Sequence, residues 1–281
     1  MAAADTDRDE LMQLREEVAR LRAEIARLAP PLDVLLRRRG FRVYKKEPAA
    51  DLLLPDARHL DAYVALLGKY SFRLFLRDAI KHQDRFTADL LTRYSTGRTV
   101  RSYISFLLAS GLAEEARSAY RLVRRPVTSF GPTLEWYVAE LLKREFGAEV
   151  LWGVKFRRPK VGGDYDVLGR LDGALVYLEA KSSPPKQLTD SEVRAFLDRV
   201  EDLAPDLAIF LMDTELRMKD KLVPMFEQAL AARSSAPPAV ERLERELFSV
   251  RDRLFIVNAK ESIGRNLGTV VGRYFRRQGV Q

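Results

Sequence analysis

Gly163-Asp164-Tyr165-Asp166-Val167-Leu168 and, eight residues further on, Tyr177-Leu178-Glu179-Ala180-Lys181-Ser182 decide the reading of this chain. The turn Leu171-Asp172-Gly173 separates a strand at Tyr165–Leu168 from one at Ala174–Ala180. Alternate residues of a strand share a face, so Tyr177, Glu179 and Lys181 fall on one side and Val176, Leu178 and Ala180 on the other. An acid and a lysine ending an apolar strand are unfavourable there unless they have partners or a task. Pairing the two strands as a hairpin brings Asp166 opposite Glu179. Two carboxylates so placed repel, which favours a divalent cation between them. Lys181 beside that cation would hold or deprotonate a water, or stabilise negative charge developing on a phosphate.

The flanks supply the context. Gly131-Pro132 starts a helix to about Phe146, on which Glu135 lies beside Val138 and Leu142 and faces the packed side, while Glu140 forms a surface pair with Arg144. Glu149–Arg157 is a strand and Gly162-Gly163 a turn. After the hairpin, Asp190–Leu203 is a helix capped by Asp190 or Ser191, whose Arg194 and Arg199 either face substrate or, more commonly for such residues, pair on the surface with Asp198, Glu201 or Asp202. An apolar strand at Asp206–Met212 follows, then a helix at Lys219–Ala232 and a short helix at Val240–Leu247. A strand at Leu254–Asn258 and a helix at Ser262–Arg276 end the pattern. Gly264, Gly268 and Gly272 on that last helix read as close packing.

The core order, α-β-β-β-α-β, together with Asp166 and Glu179-Ala180-Lys181, resembles the PD-(D/E)xK, or restriction-endonuclease-like, nuclease superfamily. The resemblance implies metal-dependent hydrolysis of a phosphodiester. It makes Asp166 the motif's aspartate and Glu179 and Lys181 its ExK pair. Mg²⁺ (or Mn²⁺) would be held by Asp166, Glu179 and the Ala180 carbonyl, with Glu135 as the acid the preceding helix adds. Tyr165 stands where the motif name has proline, and Asp164 is a rival to Asp166 as ligand. The alternative is an α/β sandwich in which Asp166, Glu179 and Lys181 form a structural ion-pair cluster.

Residues 56–128 read as a small helical domain: helices at Asp61–Leu67 and Ser71–Ile80, a short helix at Thr87–Tyr94, the turn Ser95-Thr96-Gly97, a helix at Thr99–Ser110, then strands at Ala113–Ala116 and Tyr120–Val123. This succession resembles a winged helix-turn-helix. Between Lys69 and Arg125 stand twelve basic and five acidic residues, nearly the whole excess of the chain. Arginines on such a face bind phosphates without reading sequence. Arg98, Arg101, Ser102, Arg121, Arg124 and Arg125 are the candidate nucleic-acid contacts, with Lys186 in the loop after the ExK strand. The basic run Arg37-Arg38-Arg39 and Lys45-Lys46, around a strand at Phe41–Lys45, is either solvated surface or a phosphate contact.

Near the start, Leu11, Leu14, Val18, Leu21, Ile25 and Leu28 are spaced alternately by three and four, the a and d positions of a coiled coil within residues 8–29 that would join two chains. Pro30-Pro31 stops it. Over the 281 residues there is no cysteine and only His59 and His82, so cysteine nucleophiles, thiolate clusters and disulfides are excluded and a metal site must be mostly carboxylate. The formal charge of +8 favours an anionic partner. No apolar run is long enough for a bilayer span and no secretory pattern opens the chain, so a cytoplasmic protein is expected. The expectation is an α/β protein: residues 130–281 form a restriction-endonuclease-like domain, preceded by the winged helix and the coiled coil, acting as a homodimeric, Mg²⁺-dependent DNA endonuclease. Its rivals are a non-catalytic dimeric DNA-binding protein with a nuclease-like scaffold, and a protein-interaction adaptor.

Overall fold

A computed structural model describes residues 12–18, 20–21, 24, 30–157 and 160–278. The helices are α1 (Leu32–Arg38), α2 (Leu60–Leu67), α3 (Tyr70–Lys81), α4 (Gly97–Ala109), α5 (Gly131–Phe146), α6 (Asp190–Leu203), α7 (Leu222–Ala231) and α8 (Ile263–Gln278). The strands are β1 (Val43–Lys45), β2 (Ala113–Glu115), β3 (Tyr120–Leu122), β4 (Glu149–Phe156), β5 (Tyr165–Leu171), β6 (Ala174–Lys181), β7 (Leu207–Met212), β8 (Glu241–Glu244), β9 (Leu247–Val250) and β10 (Leu254–Asn258). No helix among the described residues is long and apolar enough to cross a membrane.

The chain is a mixed α/β structure around one eight-stranded sheet, ordered β1-β4-β5-β6-β7-β10-β9-β8. Strands β4, β5 and β6 run antiparallel, and β7 and β10 continue the sheet parallel to β6. Two apolar layers cover the sheet. One joins α5, α8 and the helices of residues 60–109 to Val176, Leu178 and Ala180. The other packs Leu32, Leu36, Phe196 and Phe226 of α1, α6 and α7 against Leu175, Tyr177 and Phe210. Strands sandwiched in this way read as apolar runs, as all of β7 does. Gly264 and Gly268 turn toward Glu145 and Phe146 of α5, so α8 approaches that helix closely.

Residues 56–128 contain α2 and α3, a 3₁₀ turn at Asp89–Tyr94, α4 capped by the Thr96 hydroxyl, and a β2–β3 hairpin extended by a bridge between Phe86 and Tyr120. Their apolar side chains belong to the same layer as α5 and α8. Of the coiled-coil span, residues 12–18, 20–21 and 24 are helical, and Leu14, Val18 and Leu21 are exposed; Leu11, Ile25 and Leu28 lie outside the described residues.

Two local expectations fail. The short helix expected at Val240–Leu247 is a β8–β9 hairpin, with Arg245 at φ +46° in the turn. Val240, Leu243 and Leu247 happen to carry helical spacing, but Leu247–Val250 is an interior strand buried on both faces, where tertiary pairing overrides local period. The cap of α6 is Thr189, in a reciprocal capping box with Glu192, and neither Asp190 nor Ser191.

Candidate active site at the end of the sheet

The β5–β6 ladder runs to the pair Val167–Leu178 and ends one step short of Asp166 and Glu179. The ladder changes character at that step. Residues i and i+2 of a strand share a face, yet Trp152 packs in the first apolar layer and Val154 in the second, and Val167 and Tyr165 divide the same way. The switch falls on Gly153 and its cross-strand neighbour Asp166, and Gly153 takes φ +56°, a conformation glycine adopts without strain. Asp166 thereby leaves the regular ladder, and its Oδ2 accepts the Ala180 N–H at 2.8 Å.

Glu179 is 2% exposed, and both its oxygens are engaged. Oε1 accepts from Lys181 Nζ at 2.8 Å and from Arg199 of α6 at 2.8 Å, and Oε2 accepts from the Tyr177 hydroxyl. Arg199 Nε also donates to the Tyr177 oxygen at 2.8 Å, closing a ring of contacts. Gly163 permits this approach: a Cβ there would sit 3.0 Å from the Arg199 guanidinium. Lys181 reaches Glu192 at 3.9 Å as well and keeps 21% of its side chain exposed.

Glu135 is half-buried on α5, and its carboxyl is pushed up to about 7 by burial first, then by the charges of Glu179 and Asp164, against the pull of Lys181. Asp166 is held well above the ordinary carboxylate range by burial, Glu179 and Glu135. Burial works against the charged form of Lys181, but Glu179 and Asp166 outweigh it and raise the amine above its ordinary value. Mutual repulsion of Glu135, Asp166 and Glu179 is therefore only partly balanced by Lys181 and Arg199. All three donors are hard oxygens, the set that suits Mg²⁺ or Mn²⁺. Among the described residues, no three acidic or histidine side chains form a ready-made coordination shell. Asp164 is exposed and pairs with Lys155 at 2.9 Å.

Arg199, expected either to face substrate or to pair on the surface with Asp198, Glu201 or Asp202, instead turns inward to Glu179. Phe196, Arg199 and Leu203 are spaced by three and four, which puts the arginine inside an apolar stripe, and that spacing is the signal that it points inward. A second buried acid escaped the sequence reading. Asp213, just beyond β7, takes Arg73 Nε at 2.9 Å and also Arg77, and its backbone N–H donates to the Lys181 carbonyl at 2.8 Å. A cleft of about 870 Å³ opens between α3 and the loops after β6 and β7, lined by Tyr70, Arg77, Tyr94, Ser182, Gln187 and Thr214 among others, and by none of Glu135, Asp166, Glu179 and Lys181.

The basic residues expected to meet nucleic acid divide into two groups. Arg98, Arg101 and Ser102 are exposed on α4. Arg121 pairs with Glu114 at 2.7 Å, Arg124 donates to the carbonyls of Leu52 and Ala49, and Arg125 donates to the Leu122 carbonyl. Arg124 and Arg125 thus brace their own backbone. Lys186 is exposed, and its carbonyl accepts from Lys221 at 2.9 Å.

No protein-family model matches the chain, and no curated protein matches it. Among solved structures, Can2 from Sulfobacillus thermosulfidooxidans in complex with cyclic tetra-adenylate is similar at 15% identity and a TM-score of 0.49, over 87% of this chain and 60% of that one. Protein VC1899 from Vibrio cholerae is similar at 15% identity and a TM-score of 0.42, over 69% of this chain and 55% of that one. The chain spans less than two thirds of the length of either.

Proposed function

We propose that the chain is a metal-dependent nuclease of the PD-(D/E)xK type that hydrolyses phosphodiester bonds of DNA. The observation that carries this reading is the gathering of Asp166, Glu179, Glu135 and Lys181 around one end of β5 and β6, with acidic charge left in surplus. Asp166, Glu179, Glu135 and the Ala180 carbonyl would hold Mg²⁺ or Mn²⁺, which when bound lowers the pKa of water and neutralises phosphoryl charge.

The chain's own groups do the rest. Arg199 and Tyr177 fix the rotamer of Glu179, a buried carboxylate that would otherwise be free to turn away. Lys181, tethered but partly exposed, directs its ammonium to the phosphoryl oxygen on which charge develops. The helical unit of residues 56–128 docks DNA in the manner of a winged helix through Arg98, Arg101 and Ser102, and the heptads of residues 8–29 join two chains.

Incubating supercoiled DNA with Mg²⁺ tests the reading. Wild type nicks it and Lys181→Ala and Asp166→Asn do not, while chelation stops the wild type. Equal nicking by all three proteins overturns it. A second reading rests on the saturated bonding of Glu179: the cluster is a structural ion pair in a DNA-binding scaffold. It predicts no nicking by any protein and a large loss of stability in Glu179→Gln.

A further inference from the structure

Outside the candidate site, the strongest concentration of charge that the docking account leaves unused lies on the β1 edge of the sheet. Among the described residues β1 pairs with β4 alone and stands at the edge of the sheet. Lysines on an edge strand ordinarily deter pairing with other chains. Here the pattern goes further. The register sets Lys45 directly across from Lys155, and the Arg157 N–H donates to the Arg42 carbonyl at 2.8 Å, so two like-charged pairs stand side by side. Like charges placed opposite each other destabilise a sheet. The acids that pair here, Asp33 and Asp164, take Arg37 and Lys155. Arg42, Lys45, Lys46 and Arg157 are exposed, and Arg42 and Arg157 line a groove of about 490 Å³.

Two further features say what the edge would take. Tyr44 stands among these cations with 56% of its surface exposed. A basic sheet edge with an exposed ring is the combination that binds single-stranded nucleic acid, the phosphates lying along the cations and a base stacking on the ring. The edge also leads to the candidate site. Just past Lys46, the Glu47 N–H donates to the Trp152 carbonyl at 2.8 Å, and Pro48 lies against Gly153, the residue beside the Glu135 carboxylate.

We infer that Arg42, Tyr44, Lys45 and Arg157 form a track for a single nucleic-acid strand running to the Glu135–Asp166–Glu179 cluster. It deepens the nuclease reading, on which it rests only for the chemistry of the ligand, and it assigns the single strand to the sheet edge rather than to α4.

The test is the salt dependence of binding to a fluorescein-labelled oligothymidine and to a labelled duplex, in EDTA so that no cutting occurs. The triple variant Arg42→Gln, Lys45→Gln, Arg157→Gln lowers the log–log salt slope for the single strand by about two, because each lost phosphate contact removes about 0.7. Tyr44→Ala weakens oligothymidine about tenfold and leaves the duplex unchanged. Lys45→Arg keeps the slope, and Arg98→Gln with Arg101→Gln leaves single-strand affinity unchanged. An unchanged slope in the triple variant overturns the inference. So does binding of phosphatidylglycerol vesicles in place of the oligonucleotide. Cutting of DNA with Mg²⁺ is scored separately. Binding along the edge without cutting keeps this inference and ends the nuclease reading; cutting with an unchanged slope does the reverse.

Discussion

Two buried carboxylates stand at the ends of neighbouring parallel strands, each held by two cations, and they differ in the charge around them. Asp213, after β7, is fully buried; Arg73 beside it is equally buried and also donates to the Leu67 carbonyl. This cluster ties α3 to the sheet; Arg73 is sealed in it, while Arg77 keeps 19% of its side chain exposed. Glu179, on β6, is as deeply buried, and its cation Lys181 is about as exposed as Arg77, but two more acids crowd it. A doubly held acid is therefore no sign of chemistry by itself. Surplus charge of one sign is what separates a candidate site from a structural pin.

Changing Asp213 is the strongest way to sharpen the contrast. Asp213→Ala leaves two arginines without their counter-charge in the interior, and a loss of about 3–5 kcal/mol is expected. Urea unfolding measures it, and an unshifted midpoint would remove the structural role. Next, Lys181→Ala is expected to lower the nicking rate about 10²–10³-fold, the scale for one stabilising donor, with only a small change in melting temperature. If the melting temperature collapses instead, the two clusters are alike and the contrast fails.

The third expectation concerns pH. Glu135 in the folded chain titrates near 7 against an ordinary 4.5. Between those values the folded chain keeps a proton that the unfolded chain has lost, so stability falls as pH rises through this window and stays lower above it. Glutamine mimics the protonated acid. In EDTA, Glu135→Gln is expected to be more stable than wild type above about pH 7, by up to about 3 kcal/mol, and equal to it below about pH 4.5. A gain that is the same at every pH breaks the account of crowded charge. The smallest effect belongs to the exposed pair Arg121–Glu114: Arg121→Ala costs under about 1 kcal/mol in thermal unfolding.

Much of the architecture was legible because it rests on local pattern. The bounds of α6 and β10 match the reading, and those of α5 and β6 match to within a residue, since apolar period, Gly147 past α5 and the Asp172-Gly173 turn mark them. Glu140 pairs with Arg144 as its spacing implies. The β8–β9 hairpin was not legible, because an interior strand three and four residues from other apolar positions has no period of its own. Arg199 and Asp213 were not legible as partners, because twenty residues separate Arg199 from Glu179 and 140 separate Arg73 from Asp213.

The amino-acid sequence by itself determined which groups were at hand: carboxylates without cysteine, an acid and a lysine two apart on a strand, an aspartate across the hairpin, and a basic surplus. Those follow from composition and from the two-residue repeat of a strand. Only the tertiary structure decided how they are used. It turned the ladder at Gly153 and Asp166, bound Arg124 and Arg125 to their own backbone, and aimed Arg199 at Glu179, because ion pairs and hydrogen bonds form between neighbours in space, and a linear pattern does not state which residues those are.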